Sequence, residues 1–77
     1  MEEEKNVFPE RLRKLREKQH RKQYAVAHLC GLDRKTLRRY EKGEIEPLMT
    51  QLVVIAEYFG VSVDYLTGRT DNPEINK

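Results

Sequence analysis

The sequence predicts an all-α domain of five short helices. Apolar residues recur at spacings of three and four, the helical period, and a glycine follows most of these runs, where a helix end favours a left-handed residue. A chain of 77 residues can bury one modest core. We therefore expect a single domain over 8–68, with a polar leader at 1–7 and a polar tail at 69–77, both frayed.

The first helix is predicted over 9–19. Phe8, Leu12 and Leu15 form its apolar stripe, and Pro9 occupies a first-turn position that tolerates proline. The stripe predicts that the opposite face is charged. That face carries Arg11, Arg13, Lys14 and Lys18.

A second, shorter helix is predicted from Gln23 to Cys30, with Val26 and Ala27 pointing inward beside the cysteine. Gly31 follows at the position where a backbone with positive φ ends a helix. The chain therefore turns sharply before the next element.

The third helix is predicted over 34–42. Asp33 is a suitable N-cap because its carboxylate can accept the free N–H groups of the first turn. Leu37 and Tyr40 face inward and Gly43 ends the helix. The remaining side chains of this helix are mostly basic and point outward.

Two further helices complete the prediction. The fourth spans 48–59 and ends at Gly60, and the fifth spans 63–67, with Ser62 as its N-cap. The fourth is predicted from the spacing of Leu52, Ile55, Ala56 and Phe59, and the fifth from Val63 and Leu66.

Basic residues are concentrated in one part of the chain. Residues 11–42 carry twelve Lys or Arg against three acidic side chains, whereas 1–10 and 43–77 are both net acidic, and the total is +2. A cationic block is typical of a surface that meets the phosphates of a nucleic acid, although a solvated helix face has the same composition. The position of the charges must decide between these interpretations.

Several classes of function lack the residues they need. Cys30 is the only cysteine, so neither an internal disulfide nor a cysteine zinc site can form, and His20 and His28 have no further ligands at a useful spacing. We expect no metal, no cofactor and no catalytic set. No apolar run approaches the ~20 residues of a membrane span, and a single cysteine fits a reducing compartment, so we expect a soluble cytoplasmic protein. Because it lacks a catalytic set, we expect that it is not an enzyme.

A characteristic set of residues extends over 8–68: Leu15, Arg16, Gln23, Ala27, Gly31, RYEKG at 39–43, Pro47, YFGVSVDYL at 58–66, and Gly68. With these residues the chain resembles the phage-repressor-like, or xenobiotic-response-element, family of bacterial helix-turn-helix regulators. The resemblance implies a lambda-repressor-like fold with helices two and three as the helix-turn-helix. It further implies a transcriptional regulator, most simply a repressor, that binds double-stranded DNA as a homodimer.

The resemblance assigns base contacts to Arg34, Lys35 and Arg39, near the start of the third helix and one turn further on. An arginine fork can donate to both O6 and N7 of a guanine, so a half-site that contains guanine is expected.

Phosphate contacts are assigned to a second group. Gln23 matches the family's phosphate-binding residue, and Thr36, Arg38 and Lys42 are further expected phosphate partners. Lys22, where the family usually has a small hydroxyl residue, adds another cation there. Arg16 and Glu41 match a structural ion pair of the family.

Some positions depart from the family pattern. Glu44 and Glu46 would be repelled by phosphate, and Leu48 and Val54 replace residues that are usually polar. Exposed apolar side chains at the last two positions indicate a protein contact. The alternative interpretation is therefore an antitoxin or adaptor that binds a protein partner through the surface of helices four and five.

Overall fold

The computed structural model describes residues 6–75, which form five α-helices and no strand, in agreement with the predicted fold class. The observed bounds lie within one residue of the predicted ones. In residues 6–75 no helix combines the length and the apolar character needed to cross a bilayer. The helices are α1 (Phe8–Lys18), α2 (Gln23–Leu29), α3 (Arg34–Lys42), α4 (Met49–Phe59) and α5 (Val63–Thr67).

The third helix lies at the centre of the packing. It contacts both α1 and α2, while α5 packs against α4 and α1. Phe8 of α1 meets Tyr40 of α3 edge to face, with 5.9 Å between ring centroids, and the Tyr40 hydroxyl donates to the side-chain oxygen of Gln51. The buried apolar side chains are Phe8, Leu12, Val26, Ala27, Cys30, Leu37, Tyr40, Leu52, Ile55, Ala56, Val61 and Leu66.

Of the two predicted N-caps, only one forms. The Ser62 hydroxyl accepts a hydrogen bond from the Tyr65 N–H at 3.0 Å, as predicted. Asp33 has the extended backbone of an N-cap, but its exposed carboxylate caps no N–H, so that prediction was wrong. The start of α3 is held instead by the Leu37 N–H, which donates to the Asp33 carbonyl at 3.1 Å, and by burial of the Leu37 side chain.

The turn between α1 and α2 contains a strained residue. His20 has φ 57°, in the left-handed region, and is the only non-glycine residue with positive φ among those described. A Cβ atom makes this conformation costly. A glycine at this position would not carry that cost.

We expect His20→Gly to raise the free energy of unfolding by up to about 1 kcal/mol, because relief of the strain exceeds the extra backbone entropy of glycine in the unfolded chain. Chemical denaturation followed by circular dichroism measures this change. His20→Ala, which keeps the Cβ atom, should give no such gain; an equal gain would show that the histidine side chain, and not the backbone, causes the strain.

The helical pattern predicts that Arg11 lies on the exposed charged face of α1. The structure places it elsewhere, so this prediction was wrong. Its side chain is 18% exposed, and its guanidinium carbon lies 4.2 Å from the centroid of the Tyr65 ring. It donates to the carbonyls of Tyr65 and Thr70 and to the carboxylate of Asp71. Arg11 therefore ties α1 to α5 and to the segment that follows it.

These contacts also order the segment after α5. The Ser62 N–H donates to the Pro73 carbonyl at 3.0 Å, so residues 69–75 fold back on the helices where fraying was expected. Gly68 permits this path: its φ is 85°, and a Cβ atom there would lie 2.8 Å from a methyl carbon of Val7.

Arg11→Ala is expected to lower the free energy of unfolding by about 2 kcal/mol, since it leaves two carbonyls without their charged donor and uncovers the Tyr65 ring. Urea unfolding provides the measurement. Asp71→Ala is the matched control: the Asp71 side chain is 95% exposed, so its loss should cost less than about 0.5 kcal/mol. Equal losses would assign the effect to the surface ion pair.

Candidate nucleic-acid interface

The turn between α2 and α3 is short and internally bonded. Gly31 adopts φ 70°, and the Leu32 N–H donates back to the Ala27 carbonyl at 2.8 Å. The half-buried Leu32 side chain packs on the core. The two helices therefore meet as a rigid pair, and the orientation of α3 is set by α2 and α1 together.

The side of α3 opposite the core is cationic. Leu37, Tyr40 and Glu41 form the buried stripe of this helix. At 100° per residue, the residues roughly opposite that stripe are the ones two before Leu37, two after Leu37 and two after Tyr40. They are Lys35, Arg39 and Lys42, and all three are exposed.

A second group of cations lies at the junction of α2 and α3. Arg34 and Arg38, four residues apart and both exposed, lie on the flank of α3 that faces the start of α2. Thr36 is half-buried on the other flank. The junction forms a shallow concave surface lined by Arg16, Lys22, Gln23, Tyr24, Arg34 and Arg38.

Tyr24 is a member of this surface that the sequence interpretation missed. Its side chain is 59% exposed. The available signal was its position outside the stripe of Val26, Ala27 and Cys30, which places it on the solvent side of α2. A tyrosine offers a hydroxyl donor and a flat apolar ring beside four cationic side chains.

A network of hydrogen bonds holds the helix pair against α1. The Arg16 guanidinium donates to the two carboxylate oxygens of Glu41 at 2.6 and 3.0 Å and to the Arg21 carbonyl at 3.0 Å. The Arg16 and Glu41 side chains are only 15% and 4% exposed. The hydrogen bond to Glu41 raises the pKa of Arg16, against the opposing effect of burial. The contact with Glu41 therefore favours the charged form of Arg16.

Gln23 joins the same network. Its Nε2 donates to the Glu41 carboxylate at 3.0 Å, a partner that the sequence interpretation did not include. The spacing contained a signal, since Gln23 lies three residues before Val26 and four before Ala27, on the inner side of α2. Its carbonyl oxygen and second N–H remain available at the surface.

Arg39 also has a partner that the sequence interpretation did not pair with it. The Glu44 carboxylate lies 3.5 Å from the Arg39 Nε, and the two side chains are 49% and 46% exposed. Gly43, with φ 75°, ends α3 and turns the backbone so that the Glu44 N–H donates to the Arg39 carbonyl at 2.9 Å. The backbone thus places Glu44 next to Arg39.

Known proteins are similar to this chain in sequence and in architecture. A family model described as helix-turn-helix matches residues 12–66. The HTH-type transcriptional regulator YobD of Bacillus subtilis (strain 168), itself uncharacterized, is 32% identical over 68 residues, which are 88% of this chain. The chain spans 61% of the length of that relative.

Solved structures agree with this match. The P22 c2 repressor in complex with a synthetic operator superposes with a TM-score of 0.76 at 27% identity, over 80% of this chain and 94% of that one. The DNA-binding domain of the P22 c2 repressor in solution gives 0.78 at 26% identity, over 96% of each chain. The family model covers the helix pair and the network of Arg16, Gln23 and Glu41, and the chain belongs to the repressor-like, or XRE-type, helix-turn-helix family.

Proposed function

We propose that this protein is a transcriptional regulator, acting as a repressor, that binds specific sites in double-stranded DNA with α3 in the major groove. The observation that carries the proposal is the exposed cationic side of α3, which stands opposite its buried stripe and continues into the junction with α2. A polyanion is the partner that this arrangement fits, and the width of the major groove admits one helix. The similarity to a repressor bound to its operator supports the same conclusion.

Within this interface we assign base contacts to Arg34, Lys35 and Arg39. All three are exposed in the first two turns of α3, the part of a recognition helix that reaches base edges. A bidentate arginine contact to guanine discriminates against other bases by about 1–3 kcal/mol.

Phosphate contacts are assigned to the residues around that centre. Lys22, Arg38 and Lys42 supply charge, and Gln23 supplies the amide groups that Glu41 leaves free. Thr36, which is half-buried on the far flank, offers a hydroxyl donor. These contacts would set the register of the domain on the duplex.

Selection from a random duplex library, repeated at several salt concentrations, tests the proposal. We expect the enriched sequences to share a half-site that contains guanine, and affinity to fall steeply with salt. Two copies of the half-site about one helical turn apart would support the homodimer that we also propose. Enrichment of no common sequence would overturn sequence-specific binding.

The family and fold are those of DNA-binding regulators, and we propose on that basis a cytoplasmic protein without catalytic activity. No group of three or more His, Cys, Asp or Glu side chains in residues 6–75 lies in an arrangement that could hold a metal ion.

A second function, as an antitoxin or adaptor, is favoured by one observation. The start and outer side of α4 expose four apolar side chains, and a single-domain protein seldom leaves several such residues together. Co-purification of a stoichiometric protein that is lost in Leu48→Ser and Val53→Ser would favour this alternative, provided that duplex binding is also absent. The four side chains are Leu48, Met49, Val53 and Val54, which are 68%, 64%, 39% and 42% exposed.

A further inference from the structure

We propose that Glu44 is a specificity residue that holds the Arg39 side chain in position to read a base. The inference rests on the proposed function, because it concerns the same DNA interface. Glu44 would weaken binding to every duplex through its charge and favour the correct site through Arg39.

The contact leaves the useful part of the arginine free. Glu44 lies against Nε of Arg39, and within residues 6–75 the two terminal nitrogens of Arg39 donate no hydrogen bond. Those two nitrogens form the fork that donates to O6 and N7 of a guanine. A carboxylate on Nε can therefore remain in place while the fork contacts a base edge.

The position of Glu44 does not depend on a flexible loop. The hydrogen bond from the Glu44 N–H to the Arg39 carbonyl, at 2.9 Å, belongs to the end of α3 itself. An arginine side chain otherwise loses much rotamer freedom when it binds. A partner that restricts the rotamers of Arg39 before DNA binds reduces the entropy lost on binding, provided that Arg39 binds in the geometry that the partner favours.

Arg39 differs from the neighbouring cations of α3 in having a carboxylate partner. Within residues 6–75, Lys35 and Lys42, the other cations opposite the buried stripe of α3, have no ion-pair partner. Of the three cations opposite the buried stripe, the one with a carboxylate partner among residues 6–75 is therefore the arginine, whose planar fork matches O6 and N7 of guanine.

The negative charge of Glu44 weakens DNA binding, whereas its contact with Arg39 favours the correct site. A carboxylate at the edge of a DNA interface is repelled by phosphates, which lowers affinity for all sequences equally. Specificity is a ratio of affinities, so a residue can lower affinity overall and still raise discrimination.

Glu44→Ala separates these effects when affinity is measured for the selected site and for an unrelated duplex. We expect binding to the unrelated duplex to tighten about twofold to threefold, since one repulsive charge is lost. The ratio of specific to non-specific affinity should fall about fivefold, which corresponds to the roughly 1 kcal/mol at the upper end for an exposed ion pair.

Three comparisons isolate the cause. Glu46→Ala makes the same change of charge in the same loop, and Glu46 has no ion-pair partner among residues 6–75, so the ratio should not change. In an Arg39→Ala background, Glu44→Ala should leave the ratio at the value of Arg39→Ala alone. Glu44→Gln, which keeps the size of the side chain but removes the charge of the ion pair, should lower the ratio nearly as much as Glu44→Ala does.

Equal tightening of both duplexes in Glu44→Ala would overturn the inference while leaving the proposed function intact, because Glu44 would then act only as a charge. A drop in the ratio that persists without Arg39 would also overturn it. If the unaltered protein shows no preference for any duplex, the proposed function and the inference both fail.

Discussion

Arg16→Ala is expected to lower the free energy of unfolding by about 3–5 kcal/mol. The substitution leaves the Glu41 carboxylate, whose side chain is 4% exposed, without its charged partner. It also removes the donor to the Arg21 carbonyl, so the turn before α2 loses its link to α1. A domain of this size has a total stability of about 5–15 kcal/mol, so the variant should melt far below the unaltered protein.

Two comparisons make this prediction specific. Arg13→Ala, one turn earlier on α1, breaks an exposed pair with Glu17 at 3.9 Å and should cost less than about 0.5 kcal/mol. The double variant Arg16→Met with Glu41→Leu removes both charges and should be more stable than Arg16→Ala. Urea denaturation followed by circular dichroism measures all three, and a loss in Arg16→Ala no greater than in Arg13→Ala would refute the buried network.

Arg39→Ala and Lys42→Ala are expected to weaken DNA binding in different ways. Arg39→Ala should raise the Kd for the selected site about tenfold to a hundredfold and relax the preference at one or two base positions. Lys42→Ala should weaken binding to all duplexes alike and reduce the slope of log affinity against log salt by about one unit.

Fluorescence anisotropy with matched and mismatched duplexes at several salt concentrations provides the data. Both residues are exposed cations on the same side of α3, so each serves as the control for the other. Identical effects of the two substitutions on specific and non-specific duplexes would refute the division into base and phosphate contacts.

The fold follows from local patterns in the sequence. Leu12, Val26, Leu37, Ile55 and Leu66 are fully buried, and each lies at a helical spacing from other apolar residues that predicts burial. The ends of α2 to α5 were predictable because glycine is the residue that most easily adopts positive φ, whereas no glycine follows α1. Periodicity also predicts the direction of the basic side chains of α3. Because the side of the helix that carries Leu37 faces the core, the basic residues at other helical positions point away from it.

Contacts between distant residues could not be predicted in the same way. Arg11 lies in a basic stretch of sequence and looks solvent-exposed, yet its partners are more than fifty residues further along the chain. Aspartate is a favourable residue for an N-cap, but the residue type does not determine which rotamer the Asp33 side chain adopts. The pairing of Arg39 with Glu44 depends on the backbone path after Gly43, which sequence spacing alone does not specify.

The central claim, that α3 reads guanine in the major groove, can be tested by changing single atoms of the DNA. Replacement of a guanine in the selected half-site by 7-deazaguanine removes the N7 acceptor from the major groove, whereas inosine removes the N2 amino group from the minor groove. We predict that 7-deazaguanine at one position weakens binding of the unaltered protein by about tenfold and has no effect on Arg39→Ala, and that inosine is tolerated. Loss of binding with inosine and none with 7-deazaguanine would contradict the account.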